Sequence, residues 1–159
     1  MNKPMHLQNH EFYMKKALAQ AQNAFKKDEV PIGALIVDTN GVIISRAFNL
    51  VESQHSQTGH AELRAIAKAG KKRGDWRLEG CWLYVTLEPC AMCISAVKLS
   101  RLEGIVYGAE SPLFGYTKID KHDSDGLYNK NALGIIGGIC KEKSIELLQK
   151  FFKSKRKRT

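Results

Sequence analysis

Cys90 and Cys93 stand three residues apart where an apolar, β-branched run gives way to a helical pattern. Side chains at i and i+3 share one side of a helix, so both thiols project from the first turn of the helix that follows. Unsatisfied N–H groups and the helix dipole there favour thiolate over thiol. His60-Ala61-Glu62 opens another helical stretch. If these groups act together, the fold has to bring two helix starts to one place. Four cysteines, Cys81, Cys90, Cys93 and Cys140, are too few and too unevenly spaced for a disulfide scaffold. One close pair in a reducing compartment suggests metal or redox chemistry.

The 159 residues fit a single domain spanning 1–159. A chain of that size buries roughly 68–70% of its unfolded surface and needs no staple. Helical spacing runs from Asn9, a good cap, to Phe25 through Met14, Ala17, Leu18, Ala21 and Ala24. The charged run Lys26 to Glu29 and then Pro31 end it. Strands are expected at Ile32–Val37 and Val42–Ile44 around Asn40–Gly41, a hairpin signal because both residues tolerate positive φ. The polar stretch 49–59 reads as loop, His60–Lys72 as a helix stopped by Gly74, Cys81–Thr86 as a strand and Ala91–Leu99 as a helix. Ile105–Tyr107 and Leu133–Ile136 read as strands and Ser144–Phe152 as the last helix. The turn-rich stretch 111–130 between them is long enough to suggest a functional loop. Trp76, Trp82 and Met92 are expected to pack, Cys81 to be a small buried hydrophobe, and Lys71-Lys72-Arg73 to be a solvated helix end. Helices alternating with strands after a hairpin imply an α/β fold with a mixed sheet covered on both faces.

Of the net charge of +9, six positive charges fall in Lys150–Thr159, which has no acid, so the rest carries only +3. A basic tail of this kind, about 150–159, either meets nucleic acid or aids solubility. No apolar run approaches the ~18 residues of a membrane span, and the first ten residues lack a signal-peptide core. A soluble, cytoplasmic protein without a membrane partner is expected.

Thiolate and neutral imidazole are natural zinc ligands. His60, Cys90 and Cys93 make three, and His6, His10, His55 and His122 offer no matching spacing for a fourth. A structural site takes four protein ligands, whereas a catalytic site leaves one position for water. Glu62 lies two residues from His60, placed to move protons without binding the metal. A redox dithiol explains the cysteines alone and leaves His60 and Glu62 without a task.

The pattern H-x-E followed by P-C-x-x-C is the signature of the zinc-dependent nucleobase deaminases. Here it reads His60-Ala61-Glu62 and Pro89-Cys90-Ala91-Met92-Cys93. From about Glu11 to Lys155 the chain resembles the bacterial tRNA-specific adenosine deaminases. The resemblance rests on Glu29-Val30-Pro31-Ile32-Gly33-Ala34, Thr86-Leu87-Glu88-Pro89-Cys90, Ser100-Arg101, Tyr107-Gly108-Ala109 and Phe151-Phe152 before basic residues. It implies a three-layer α/β/α cytidine-deaminase-like fold and one zinc ion per subunit. It also implies a homodimer acting on wobble adenosine in a tRNA anticodon loop, with Glu62 as proton shuttle. Asn49 then matches a residue that hydrogen-bonds the nucleoside, Val30 one that lines the base pocket, and the Ala61 N–H a donor to the base. The plainer readings are a turn asparagine, a core valine and a helix alanine. Phe114 and Tyr116 are candidates for base stacking or loop packing, Phe151 for substrate binding, and Lys153, Arg156 and Arg158 for phosphates.

Two segments depart from that family. Ser56-Gln57-Thr58-Gly59 replaces D-P-T-A, and Ser111 falls at a usual aspartate. The altered loop after Ala109 leaves a free-base or nucleoside deaminase, acting on guanine or cytosine, as a rival. A non-catalytic, zinc-stabilised RNA-binding module is a second rival, which a fourth protein ligand would favour.

Overall fold

The computed structural model describes residues 9–116 and 133–158, so most of the expected 111–130 loop, His6, His122 and Thr159 lie outside the described residues. Strands β1 (Gly33–Val37), β2 (Ile43–Phe48), β3 (Trp82–Leu87), β4 (Gly104–Ala109) and β5 (Gly134–Ile136) form one sheet in the order β2-β1-β3-β4-β5. β1 is antiparallel to both β2 and β3, while β3, β4 and β5 are parallel. The helices are α1 (His10–Lys26), α2 (Val51–Gln54), α3 (Ala61–Arg73), α4 (Ala91–Leu99) and α5 (Lys141–Arg156).

Period-two alternation sorts the strand side chains into two layers. Leu35, Val37, Trp82, Tyr84 and Val106 pack with Tyr13, Met14 and Ala17 of α1. Ala34, Ile36, Leu83, Val85, Ile105 and Tyr107 pack with Ala61, Ala65 and Ala69 of α3 and Ile94 and Val97 of α4. α5 lies on the α1 side of the sheet. The expected mixed sheet covered on both faces, three layers deep, is the architecture found.

Sequence signals set the element ends. Asn9 caps α1 by accepting from Phe12 N at 3.1 Å. The hairpin forms, but only Gly41 has positive φ, at 79°; Asn40 does not. The Asp38 carboxylate accepts from the N–H groups of Asn40 and Val42, each at 2.9 Å, and holds the turn without a left-handed Asn40. Within the stretch read as loop lie the single turn α2 and a 3₁₀ turn at Gln57–Gly59. Local polar spacing carries no helical period, and the turn is hydrogen-bonded to Glu29, more than twenty residues away.

The C-terminal helix runs beyond the expected Ser144–Phe152 at both ends, so the basic residues as far as Arg156 stand on it. Phe151 is 3% exposed and packs edge-on against Phe25. Lys155 and Arg158 donate to Asp28 at 2.6 and 3.0 Å. The expected packing of Trp82 and Cys81 holds, whereas Trp76 and Met92 stand exposed. Trp76 sits past the end of α3 between Arg77 and Arg101, whose guanidinium groups stack on it at 4.4 and 5.2 Å.

At Gly33 the backbone of α1 lies directly against the strand. A Cβ there would lie 2.0 Å from Ala17 O and 2.5 Å from Ala21 N, both helix backbone atoms. Gly33→Ala should therefore force α1 off the sheet and destabilise the protein by about 3 kcal/mol, the upper end of overpacking costs. Urea unfolding of the two proteins checks this.

Candidate active site

Strand direction assembles the site. Since β1 opposes both β2 and β3, the last two run the same way and end at one edge of the sheet. α3 follows β2 through residues 49–60, and α4 follows β3 through 88–90, so both helices start at that edge. The chain entering β1, including Val30, lies there too, as does the chain leaving β4.

His60 occupies the cap position of α3 and Cys90 that of α4, with Cys93 one turn in. His60 Nδ1 lies 3.4 Å from Cys93 Sγ and 3.8 Å from Cys90 Sγ. All three donor atoms fall within 4.8 Å of one another. Zinc bonds of about 2.0 Å to nitrogen and 2.3 Å to sulfur place tetrahedral ligands about 3.5–3.8 Å apart, so these three residues fit one ion. Among the described residues they are the only such group, and no fourth protein ligand joins them. That is the ligand count of a catalytic zinc site rather than a structural module. His60 also gives the cysteines a donor that a redox dithiol does not need.

The thiols share their protons unequally. The Cys93 hydrogen bond, with that of His60, brings Cys90 down to about 4 against the opposing effect of burial. Cys93 is pushed up by its bond to Cys90 and by burial. The Cys90 bond raises His60. Glu62 is the second residue of α3 and is only 4% exposed. Burial raises its carboxyl above the ordinary range, although the His60 charge opposes this. It stands outside the ligand group.

The other expected residues divide into two sets. Asn49 is buried at the end of β2; its Nδ2 donates to Val30 O at 3.2 Å and its Oδ1 accepts from Val51 N at 3.3 Å. Asn49 and Val30 are thus adjacent, and Ala61 follows His60 at the same edge. Arg64 of α3 donates to the Phe48 carbonyl, fixing the residue before Asn49. Phe114 is exposed on the segment after β4. Phe151 is a buried packing residue rather than a surface contact, and the neighbouring exposed ring is Phe152. Lys153 and Arg156 are exposed on the last turns of α5. The ion pairs to Asp28 fix that end of α5 two residues from Val30.

Two buried carboxylates escape a reading of the sequence. Glu29 bonds to α2. Glu88 accepts from Ser111 N at 3.0 Å and so holds the segment carrying Phe114. No periodicity or spacing marks either residue, because each acts on backbone far along the chain.

A mixed sheet between helical layers, with His–Cys–Cys donors and an acid beside them, defines a zinc-dependent deaminase. Residues 7–109 match the family described as the cytidine and deoxycytidylate deaminase zinc-binding region. The chain is 44% identical over 149 residues to the tRNA-specific adenosine deaminase of Bacillus subtilis, covering 93% of this chain and 91% of that one. It therefore belongs to the family of tRNA-specific adenosine deaminases within that class. A solved tRNA:A34 deaminase structure superposes with a TM-score of 0.79 at 36% identity, covering 86% of this chain and 99% of the other. A guanine deaminase from Bacillus subtilis matches with a TM-score of 0.60 at 38% identity, over 64% of this chain and 65% of that one. No helix among the described residues is long and apolar enough to cross a membrane.

His60→Ala or Cys93→Ala should lower bound zinc from about one ion per chain to near none, since two protein donors remain where a catalytic site uses three. Glu62→Gln should keep the zinc and slow deamination by roughly 10²–10⁴-fold, the range of a general acid–base group. Elemental analysis of each purified variant, beside its turnover, decides both.

Proposed function

We propose that this protein deaminates adenosine to inosine at the wobble position of tRNA. The observation that carries the reading is the convergence of His60, Cys90 and Cys93 with Glu62 beside them and no fourth protein ligand among the described residues. Membership in the tRNA-specific adenosine deaminase family supports the substrate.

His60 Nδ1 and the two sulfurs would hold the zinc. When bound, that ion supplies Lewis acidity, which brings the ionisation of water towards ~7. Glu62 accepts a proton from the attacking water and delivers it to adenine N1. Once oxygen has bonded to C6, Glu62 takes the remaining proton of that hydroxyl and passes it to the exocyclic amine, which leaves as ammonia when the C6–N bond breaks. Water and adenosine thereby give inosine and ammonia. The buried setting of Glu62 keeps bulk water from this transfer. The Ala61 N–H donates to the base, Val30 forms a wall of its pocket, and Asn49 bonds the nucleoside. An anticodon loop presents its bases already splayed, so unstacking there costs least. In this reading Phe114, which is exposed, stacks on a neighbouring base, and the exposed Lys153 and Arg156 meet phosphates.

This reading has the protein at work in the cytoplasm, as a homodimer. Met92 and Leu99 of α4 are 38% and 54% exposed, an apolar face suited to a second copy. The likeness to a guanine deaminase keeps one rival: a free-base deaminase using the same four residues.

Incubation with an anticodon stem-loop bearing adenosine at position 34, against free guanine, cytosine and adenosine, separates the two. Inosine in the stem-loop with no turnover of the free bases is expected; the reverse would transfer the activity to the rival. RNA affinity should fall steeply with salt, each neutralised phosphate adding about 0.7–0.9 to the log–log slope. Lys153→Gln with Arg156→Gln leaves two phosphates without a cation and should flatten that slope by about 1.5. Filter binding at several salt concentrations measures it.

A further inference from the structure

Glu29 has 0% exposure, yet it is neither a metal donor nor part of the proton transfer above. Its Oε1 accepts from Ser53 N and Ser53 Oγ, each at 2.6 Å, and its Oε2 accepts from Glu52 N at 3.0 Å. Burial pushes the carboxyl up, but the bonds from Ser53 and Glu52 outweigh it and hold Glu29 below the ordinary carboxylate range. Those three donors are uncharged. A buried anion without a paired cation is costly, and charge-assisted bonds offset that cost only while the segment donating them stays in place.

That segment carries the nucleoside edge. Asn49 N donates to Ile32 O at 3.0 Å, and its side chain bridges Val30 O and Val51 N. An acceptor at one end and a donor at the other fix which way the amide points. One N–H and one lone pair of Asn49 then remain for a ligand. Leu50 N donates to Gly59 O at 2.9 Å. A Cβ on Gly59 would lie 2.8 Å from Val51 N, so the residue before His60 rests directly on this turn.

We propose that Glu29 is a positioning residue for nucleoside binding: its buried carboxylate pins the turn at 50–53 and so sets the amide of Asn49 against Val30. For the identity of the nucleoside this rests on the deaminase reading; the clamp itself does not. Glu62 is seated separately, through the packing of Ala61, Ala65 and Ala69 of α3. Loosening the clamp therefore acts on substrate binding far more than on the chemical step.

Glu29→Gln tests this, because it keeps the shape but turns an amide donor towards N–H groups that need an acceptor. Expected are unchanged zinc content, kcat within about threefold and a KM about tenfold higher for the adenosine-34 stem-loop. In an Asn49→Ala background the same substitution should move KM by less than about twofold, since residues acting through one another are not additive. Equal effects in both backgrounds, or a fall in kcat with KM unchanged, would overturn the proposal. If Glu29→Gln does not fold, Ser53→Ala removes one of the three bonds and must show the same non-additivity, with a KM shift of about threefold. Amide exchange gives a readout without substrate. The Glu52 and Ser53 N–H groups should exchange at least about tenfold faster in Glu29→Gln while β1 and β3 keep their protection. Unchanged exchange at those two amides would also overturn it. Absence of inosine with the unaltered protein would instead sink the deaminase reading, and exchange would still decide the clamp.

Discussion

The opposite direction of β1 to both its neighbours is the constraint on which everything else depends. It makes β2 and β3 co-directional, and each is followed by a helix on the same face. Two helix N-termini are thus delivered to one sheet edge, where an imidazole and two thiols meet within 4.8 Å. Each helix start contributes its own N–H groups and dipole, an environment that favours thiolate and, with it, a divalent cation. The hydrogen bond from Gly33 N to Thr86 Oγ1, at 3.1 Å, ties the start of β1 to the end of β3 at that edge.

The edge is also where the protein hides its acids. Glu29, Glu62 and Glu88 are all buried, and each has a different task. Glu62 stands beside the metal donors. Glu29 holds the turn next to Asn49, and Glu88 holds the chain after β4. Gly115 completes that last arrangement, since a Cβ there would come within 2.0 Å of Glu88 Oε1. Burying a carboxylate is unfavourable, and N–H groups of α2 at Glu29 and of Ser111 at Glu88 offset the penalty. Loops that would otherwise be free to move are thereby tied to the rigid sheet, as a site that must hold a nucleoside in one pose requires.

How much of the structure is legible in the sequence depends on how local each signal is. Helix α4 appears at Ala91–Leu99, as its pattern predicts, because strand and helix periodicities change at one point. The cap at Asn9 and the glycine of the hairpin are likewise local. The turn at 51–54 is not legible, since Glu29 lies 24 residues from Ser53. The basic end reads as a tail because charge alone does not reveal a helix. Lys155 and Arg158 on that end pair with Asp28, 127 residues from Lys155, a contact that exists only in the fold. The exposed Trp76 and Met92 show the opposite error: apolar character alone does not say which residues the fold covers.

The sequence by itself determined the chemistry: which side chains are metal donors, which acid stands next to them, and which family the motifs resemble. Those are properties of residue type and short spacing, set by covalent connection. Tertiary structure decided what stands opposite what. It placed Asn49 on Val30, sealed Phe151 inside and gave Glu29 a turn to hold, because hydrogen bonds and packing between distant segments exist only once the sheet has set their directions.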